Sequence, residues 1–363
     1  MMKASSSLLA IDRVHGGNAP ESGCVDFSAS LNPLGPPPEA IRAYHEAASK
    51  ISKYPLSYPR ELEARISAWL GVSADTVIAA NGSTQLIYLV ARALNLRSPF
   101  VVIPTFSEIA NALFAAGANP LPIPTRAEDN FRLSHSALHE ALEAGADAVF
   151  MGRPNSPTGV LTGLDDTAAI VRECARRGVW CVIDEAFIEF ADDPRSAASL
   201  LDSNPRLIVF RSLTKIFAIP GLRLGYLLGP ANFVRKLRDV IEPWSVNAIA
   251  EHVALACLDT AEDFIARARR SVQDERRWLE QNLGCLPDLH VFPSSANFLM
   301  FAISGEQSRG EFARYMTTRG LTIRDLSALP GCGPGMYRIG VRLRSDNERM
   351  VAAAANYLGA KRR

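Results

Sequence analysis

The sequence predicts an α/β fold: a mainly parallel sheet with helices on both faces, followed by a smaller α+β unit at the C-terminus. Three observations carry that prediction. Short runs that are apolar at every position alternate with helical patterns through the first two thirds of the chain, as strands buried on both faces require. Polar residues gather just after those runs, where open parallel sheets place their ligands. The pattern changes near residue 245, and 363 residues exceed what one core usually serves. The expected division is an N-terminal arm over 1–40, a large domain over 41–245, and a linking helix with a small domain over 246–363.

In the arm, PLGPPPEA breaks regular structure, and a helix is expected to start near Glu39. Six strand-like runs follow: VIAA at 77–80, FVVIP at 100–104, DAVFMGRP at 147–154, VWCVIDEAF at 179–187, LIVFRSL at 207–213 and LGYLLG at 224–229. Helical patterns such as QLIYLVARAL and LDDTAAIVRECARRG fill the gaps. One long helical stretch from Asn247 to Leu283 reads as the bridge between domains. Beyond it, HVFPSSANFLMFAI reads as strand, SRGEFARYMTTRG as helix, and LTIRDL and YRIGVRL as strands. The last helix is expected to open with a capping box over Ser345–Asp346–Asn347–Glu348, with Ser345 accepting from the Glu348 backbone N–H.

Composition excludes several classes of function. Basic and acidic side chains number 39 and 38, a net charge of +1, so nothing favours a nucleic acid or an anionic membrane as partner. Six cysteines are scattered with no CxxC pair, as expected of reduced thiols in a cytoplasmic protein rather than a metal site. The apolar piece near the N-terminus is cut short by Asp12 and Arg13, too early for a secretory core, and no apolar window of about 18 residues suggests a membrane span.

The chemistry-bearing residues fall at the strand ends. Lys215 closes an apolar run in RSLTK, where burial would destabilise its ammonium and free a nucleophilic amine. Asp184 ends the strand VWCVID, a costly place for a carboxylate unless it meets a cation, either an arginine or a protonated ring nitrogen. Gly82, Ser83 and Thr84 stand between strand and helix; they form an anion cup or a plain helix cap. Ser212 and Arg223 offer further donors to an anion, the guanidinium to two oxygens at once. Phe106, after VVIPT, either covers an aromatic ring or packs in the core.

In sequence the order is cup, Phe106, Asn155–Ser156–Pro–Thr–Gly, Asp184, Ser212-x-x-Lys215, Arg223. That order resembles the fold-type I pyridoxal 5′-phosphate enzymes, the aspartate aminotransferase superfamily, over essentially the whole chain. The resemblance implies a large domain built on a seven-stranded sheet, and pyridoxal phosphate bonded to Lys215. Asp184 would lie on the ring nitrogen, Phe106 over the ring, and Gly82–Thr84, Ser212 and Arg223 on the phosphate. It implies that Asn155 and Ser156 lie near the ring 3-oxygen. Members usually carry asparagine where this chain has Ser156 and tyrosine where it has Phe187, so the 3-oxygen would keep one side-chain hydrogen bond. Tyr54, in SKYPLSYP, matches a tyrosine that crosses to the partner's cofactor phosphate, which implies a homodimer with a shared site.

Within that superfamily, HGGN at 15–18, DFSASLNPLGPP at 26–37, DEAFIEF, PWSVNA at 243–248 and YRIGVRLRSDNERM are similar to the L-threonine-O-3-phosphate decarboxylases of cobalamin biosynthesis. These are relatives of the histidinol-phosphate aminotransferases. Substrate anchors implied by the resemblance are Arg338, Arg324, Arg342 and His15, each of which also reads as an ordinary salt bridge or packing residue. The expected activity is decarboxylation of a small phosphorylated amino acid. Amino-acid transamination is the rival, and a non-catalytic cofactor-binding protein is the reading from another class.

Overall fold

A computed structural model describes residues 15–17, 23–306 and 309–361. The apolar piece before His15 and the asparagine of HGGN lie outside the described residues. The chain opens with β1 (Val25–Asp26). The large sheet then comprises β2 (Val77–Ala80), β3 (Pro99–Ile103), β4 (Leu121–Pro124), β5 (Ala148–Gly152), β6 (Trp180–Asp184), β7 (Leu207–Ser212) and β8 (Gly225–Leu228). Its seven strands run in the order β2-β8-β7-β6-β5-β3-β4, and β8 is antiparallel to both its neighbours.

The strand missing from the six sequence runs is β4, LPIP. Two prolines in four residues argue against a strand, but a proline is tolerated where one side of the strand has no ladder to serve. β4 is the sheet's edge and pairs with β3 alone.

Strand side chains alternate between two cores. Val77, Ala79, Val149, Met151 and Val209 pack on one side, with Ile170 and Cys174 of the helix Leu164–Arg176. Ile78, Ala80, Phe150, Ile208 and Phe210 pack on the other, with Leu86 and Val90 of the helix Gly82–Leu94. Two buried faces account for the unbroken apolar runs.

The expected bridging helix is two helices, Ala248–Asp259 and Ala261–Gly284, which meet at Thr260. Beyond them HVFPSSANFLMFAI is a hairpin of β9 (Leu289–Val291) and β10 (Phe298–Ile303), not one strand. LTIRDL divides into β11 (Leu321–Thr322) and β12 (Arg324–Asp325), and β13 (Met336–Gly340) completes the sheet β12-β13-β10-β9. β11 instead pairs in parallel with β1, which binds the arm to the small sheet.

The capping box does not form as expected. The last helix, Arg344–Lys361, begins before Ser345, and Asn347 closes its start. Asn347 Oδ1 accepts from the Arg342 N–H and its Nδ2 donates to the Arg342 carbonyl. The buried asparagine serves both a donor and an acceptor of the turn through the two ends of one amide. No helix of the described residues is long and apolar enough to cross a membrane.

Candidate active site

β2, β3, β5, β6 and β7 all end at one edge of the large sheet, and β8 begins there. Asn81 to Thr84 follow β2, Thr105 and Phe106 follow β3, Arg153 to Ser156 follow β5, and Asp184 and Ser212 close β6 and β7. The sheet register therefore gathers residues separated by more than a hundred positions.

The cup is built by close approach. Gly82 has φ +80°, and a Cβ there would lie 2.7 Å from Arg223 Nη2. Gly225 pairs with Ser212, and a Cβ on it would strike the Ser83 amide nitrogen. Two glycines thus let the helix start, the end of β7 and the Arg223 guanidinium converge. The Gln85 side chain accepts from the Asn81 N–H at 2.8 Å, so the first turn closes without an acidic residue. Ser212 Oγ lies 2.8 Å from Thr214 Oγ1. An anion at this helix start would meet free backbone N–H groups, hydroxyls and a guanidinium together.

Lys215 stands at the turn after β7, with its Nζ 5.8 Å from the Phe187 ring centre. Burial, together with repulsion from Arg338 and Arg223, lowers its pKa to about 8, against a smaller opposing pull from Asp184. Burial raises Asp184 to about 6, although its carboxylate accepts from the Ala186 N–H at 3.0 Å. Amine and carboxylate act on each other through their charges, each favouring the ionised form of the other.

Arg338, on β13, connects three parts of the chain. Its Nη1 donates to Ser156 Oγ at 2.8 Å and its Nη2 to the Ser28 carbonyl at 2.9 Å. Its Nε is buried without a hydrogen-bond partner. Arg324 stands directly across from it on β12. Burial and then Arg324 lower Arg338 to about 10.

Other expected residues lie differently. Asn155 is buried, and its amide ties its own loop to the loop after β3: Nδ2 donates to the Pro104 carbonyl and to Thr158 Oγ1, and Oδ1 accepts from Thr105. It braces the loop, while Ser156 faces Arg338 with its own hydroxyl proton still to give. Arg342 Nε lies 3.8 Å from Asp346 Oδ2, an ion pair one helical turn apart, and is buried without a hydrogen bond. Tyr54 is 84% exposed, and its ring lies 5.1 Å from that of Trp244, tilted by 39°. His15 does reach the site's rim. Its Nε2 is 3.1 Å from Glu108 Oε1, and its ring lies 5.7 Å from that of Phe106.

Sequence reasoning missed the residues that hold the arm in place. Asn32 is buried and clamps the Lys215 turn: its N–H donates to the Lys215 carbonyl and its Nδ2 to the Ile216 carbonyl. Ser28 is held by Asp26 and carries the carbonyl that Arg338 grips. The only local signal was an asparagine before a proline, which reads as an ordinary turn.

Residues 22–355 match the family described as aminotransferase class I and II. Threonine-phosphate decarboxylase of Salmonella typhimurium is 34% identical over 95% of this chain and 96% of its own. The crystal structure of L-threonine-O-3-phosphate decarboxylase from Porphyromonas gingivalis superposes with a TM-score of 0.79 at 22% identity, covering 92% of this chain and 99% of that one. Histidinol-phosphate aminotransferase from Sinorhizobium meliloti, solved with pyridoxal-5′-phosphate, has a TM-score of 0.81 at 20% identity, covering 92% and 90%.

Proposed function

The chain belongs to the aminotransferase class I and II family, and from that premise we propose that it is a pyridoxal phosphate enzyme that decarboxylates L-threonine O-3-phosphate. The products are CO₂ and (R)-1-aminopropan-2-yl phosphate, which would serve cobalamin synthesis in the cytoplasm.

The residues suit such a cofactor. The glycine-lined cup with Ser83, Thr84, Ser212 and Arg223 suits its phosphate, Asp184 its ring nitrogen, Phe106 its face, and Lys215 its aldehyde. When bound, its protonated ring accepts the electron pair released as a bond to the substrate Cα breaks. Asp184, as an anion, keeps that ring nitrogen protonated and acts most as charge develops. Lys215, near pKa 8, is partly neutral at physiological pH and so serves as nucleophile and proton carrier. In the reaction the Cα–carboxylate bond breaks, CO₂ leaves, and Lys215 Nζ delivers a proton to Cα.

The observation that carries the choice of substrate is the pairing of Arg324 with Arg338. Two cations on adjacent strands, with Asp325 and Asp26 acting on them only through space and no carboxylate bonded to either among the described residues, suit more negative charge than one carboxylate brings. A phosphorylated amino acid brings both a phosphate and a carboxylate. Anchored by its phosphate, it can leave the carboxylate perpendicular to the ring, the orientation in which that bond overlaps the ring's π-system. His15 at the rim is a further contact for the substrate.

We assign a second copy of this chain to the exposed apolar face formed by Ile51, Tyr54, Leu56 and Trp244. In that dimer Tyr54 reaches the partner's phosphate cup.

Incubation with pyridoxal phosphate and L-threonine O-3-phosphate, without any keto acid, tests the proposal. Release of CO₂ with formation of aminopropanol phosphate is expected. Turnover that requires 2-oxoglutarate and releases no CO₂ would make the protein an aminotransferase.

A further inference from the structure

Behind the site, on the opposite face of the large sheet, lies a buried row of charges that the proposed chemistry does not use. Register pairs Gly152 with Asp184, and Asp184 with Phe210, so the next residues, Arg153, Glu185 and Arg211, stand side by side. Successive strand side chains point to opposite faces, so these three back onto the residues that line the site. All three are buried, as is Glu189 beyond them.

The row alternates in sign. Arg153 Nη1 donates to Glu185 Oε1 at 2.8 Å, Arg211 Nη1 lies 3.7 Å from Glu185 Oε2, and Arg211 Nη2 donates to Glu189 Oε1 at 2.6 Å. Glu185 is the hub. Its Oε1 also accepts from the Ala197 N–H at 2.8 Å, and its Oε2 from the Ser196 hydroxyl. Arg153 reaches on to the Thr162 and Arg195 carbonyls.

We propose that Glu185 is a positioning residue: clamped between Arg153 and Arg211, it fixes the strand ends bearing Ser156, Asp184 and Ser212 relative to one another. It thereby sets the tilt of the ring those residues hold. The inference rests on the proposed function, since it concerns where that ring lies.

The backbone shows why a clamp is needed here. Only one further ladder bond joins each pair of strands at this edge, from the Arg153 N–H to the Asp184 carbonyl and from the Glu185 N–H to the Phe210 carbonyl. Past these bonds the three strands part, β5 and β6 into turns and β7 into the short helix Leu213–Ile216. Asp184 is the immediate neighbour of Glu185, Ser212 of Arg211, and Ser156 lies three residues beyond Arg153. A shift of the hub therefore moves all three site residues, and groups behind a binding site orient those that touch the ligand. The pairing also keeps the Glu185 charge from bearing unopposed on Asp184, whose ionisation it disfavours. Lys215 is the cation facing Asp184 from the other side.

The test compares wild type, Glu185→Ala, Glu185→Gln and Ser196→Ala as cofactor-loaded proteins. It reads the induced circular dichroism of the cofactor band, the cofactor dissociation constant and the thermal midpoint. Glu185→Ala is expected to change the dichroism and to weaken cofactor binding by roughly ten- to a hundredfold, the usual cost of losing a group behind a ligand-holding residue. Glu185→Gln keeps the shape and most hydrogen bonds. It is expected to restore the dichroism even though its midpoint stays below wild type, because Arg153 and Arg211 lose their counter-charge. Wild-type dichroism and affinity in folded Glu185→Ala, or no restoration in Glu185→Gln, overturns the inference. If Glu185→Ala does not fold, Ser196→Ala decides: a smaller dichroism change supports the clamp, and a wild-type spectrum overturns it. A wild-type protein that takes up no cofactor overturns the proposed function as well.

Discussion

Arg338 and Arg324 occupy directly opposed positions on the antiparallel strands β13 and β12, cation facing cation. Like charges directly opposite destabilise a strand pair, and burial worsens the repulsion. Inorganic phosphate is therefore expected to raise the thermal midpoint of the cofactor-loaded wild-type protein, in which the cup after β2 is already filled. Arg324→Gln is expected to lose that response and to weaken the phosphorylated substrate by about tenfold or more, as a hydrogen bond to a charged group is worth about 1.5–3 kcal/mol. An unchanged phosphate response in Arg324→Gln would remove Arg324 from the anion site.

Asp184 supplies a prediction of opposite sign for stability and function. Its pKa rises from 3.8 to about 6 on folding, chiefly through burial. Between those values the folded state holds more protons than the unfolded, so this group's contribution to stability is fully present below pH 3.8 and is lost as pH rises through 6. Near pH 7, Asp184→Asn is expected to stabilise the cofactor-free protein by about 1–3 kcal/mol, since one pKa unit is about 1.4 kcal/mol. Cofactor-dependent activity is expected to fall steeply in the same variant. Thermal melts of the cofactor-free proteins, with activity assays alongside, check both halves; a destabilised Asp184→Asn would contradict the first.

The contrast between Lys215 and Asn32 shows what the sequence made legible. Lys215, Asp184 and Ser212 sit at the ends of apolar runs, and strand periodicity alone places those ends together at one edge. β4 was hidden because its prolines suit only an edge strand, and being an edge is a property of the sheet rather than of the segment. Asn32 was hidden because its partners, the Lys215 and Ile216 carbonyls, lie 183 and 184 residues away. For Asn155 the sequence shows only its place beside Ser156, whereas the bonds of its amide to Pro104, Thr105 and Thr158 depend on the loop after β3 as well as its own. Its neighbour Ser156 faces the site instead.

Ser156 and Phe187 yield a spectroscopic prediction. Ser156 already accepts from Arg338, and Phe187, packed edge-on against Phe298 at 5.0 Å, has no hydroxyl to give. Few donors therefore stabilise an anionic oxygen near Lys215. Phe187→Tyr adds one and is expected to lower the midpoint of the absorbance–pH titration of the cofactor-loaded protein. Ser156→Ala is expected to raise it. Midpoints unmoved by both changes would show that neither side chain acts on the cofactor's oxygen.

Lys215 sets the pH dependence of cofactor capture. A neutral amine is needed to attack an aldehyde, and burial next to Arg338 and Arg223 brings its pKa down to about 8. The second-order rate of pyridoxal phosphate uptake is expected to rise about tenfold per pH unit below 8 and to level off above it. A rate still climbing toward 10.5, the ordinary lysine value, would show that the amine is not perturbed.

The most direct measurement is reduction of the pyridoxal phosphate-loaded protein with borohydride, followed by peptide mapping. One stable pyridoxyl adduct is expected, on the ε-nitrogen of Lys215 in the segment RSLTKIF, and none in Lys215→Ala. Absence of that adduct, or labelling spread over surface lysines and retained in Lys215→Ala, would contradict a catalytic role for Lys215.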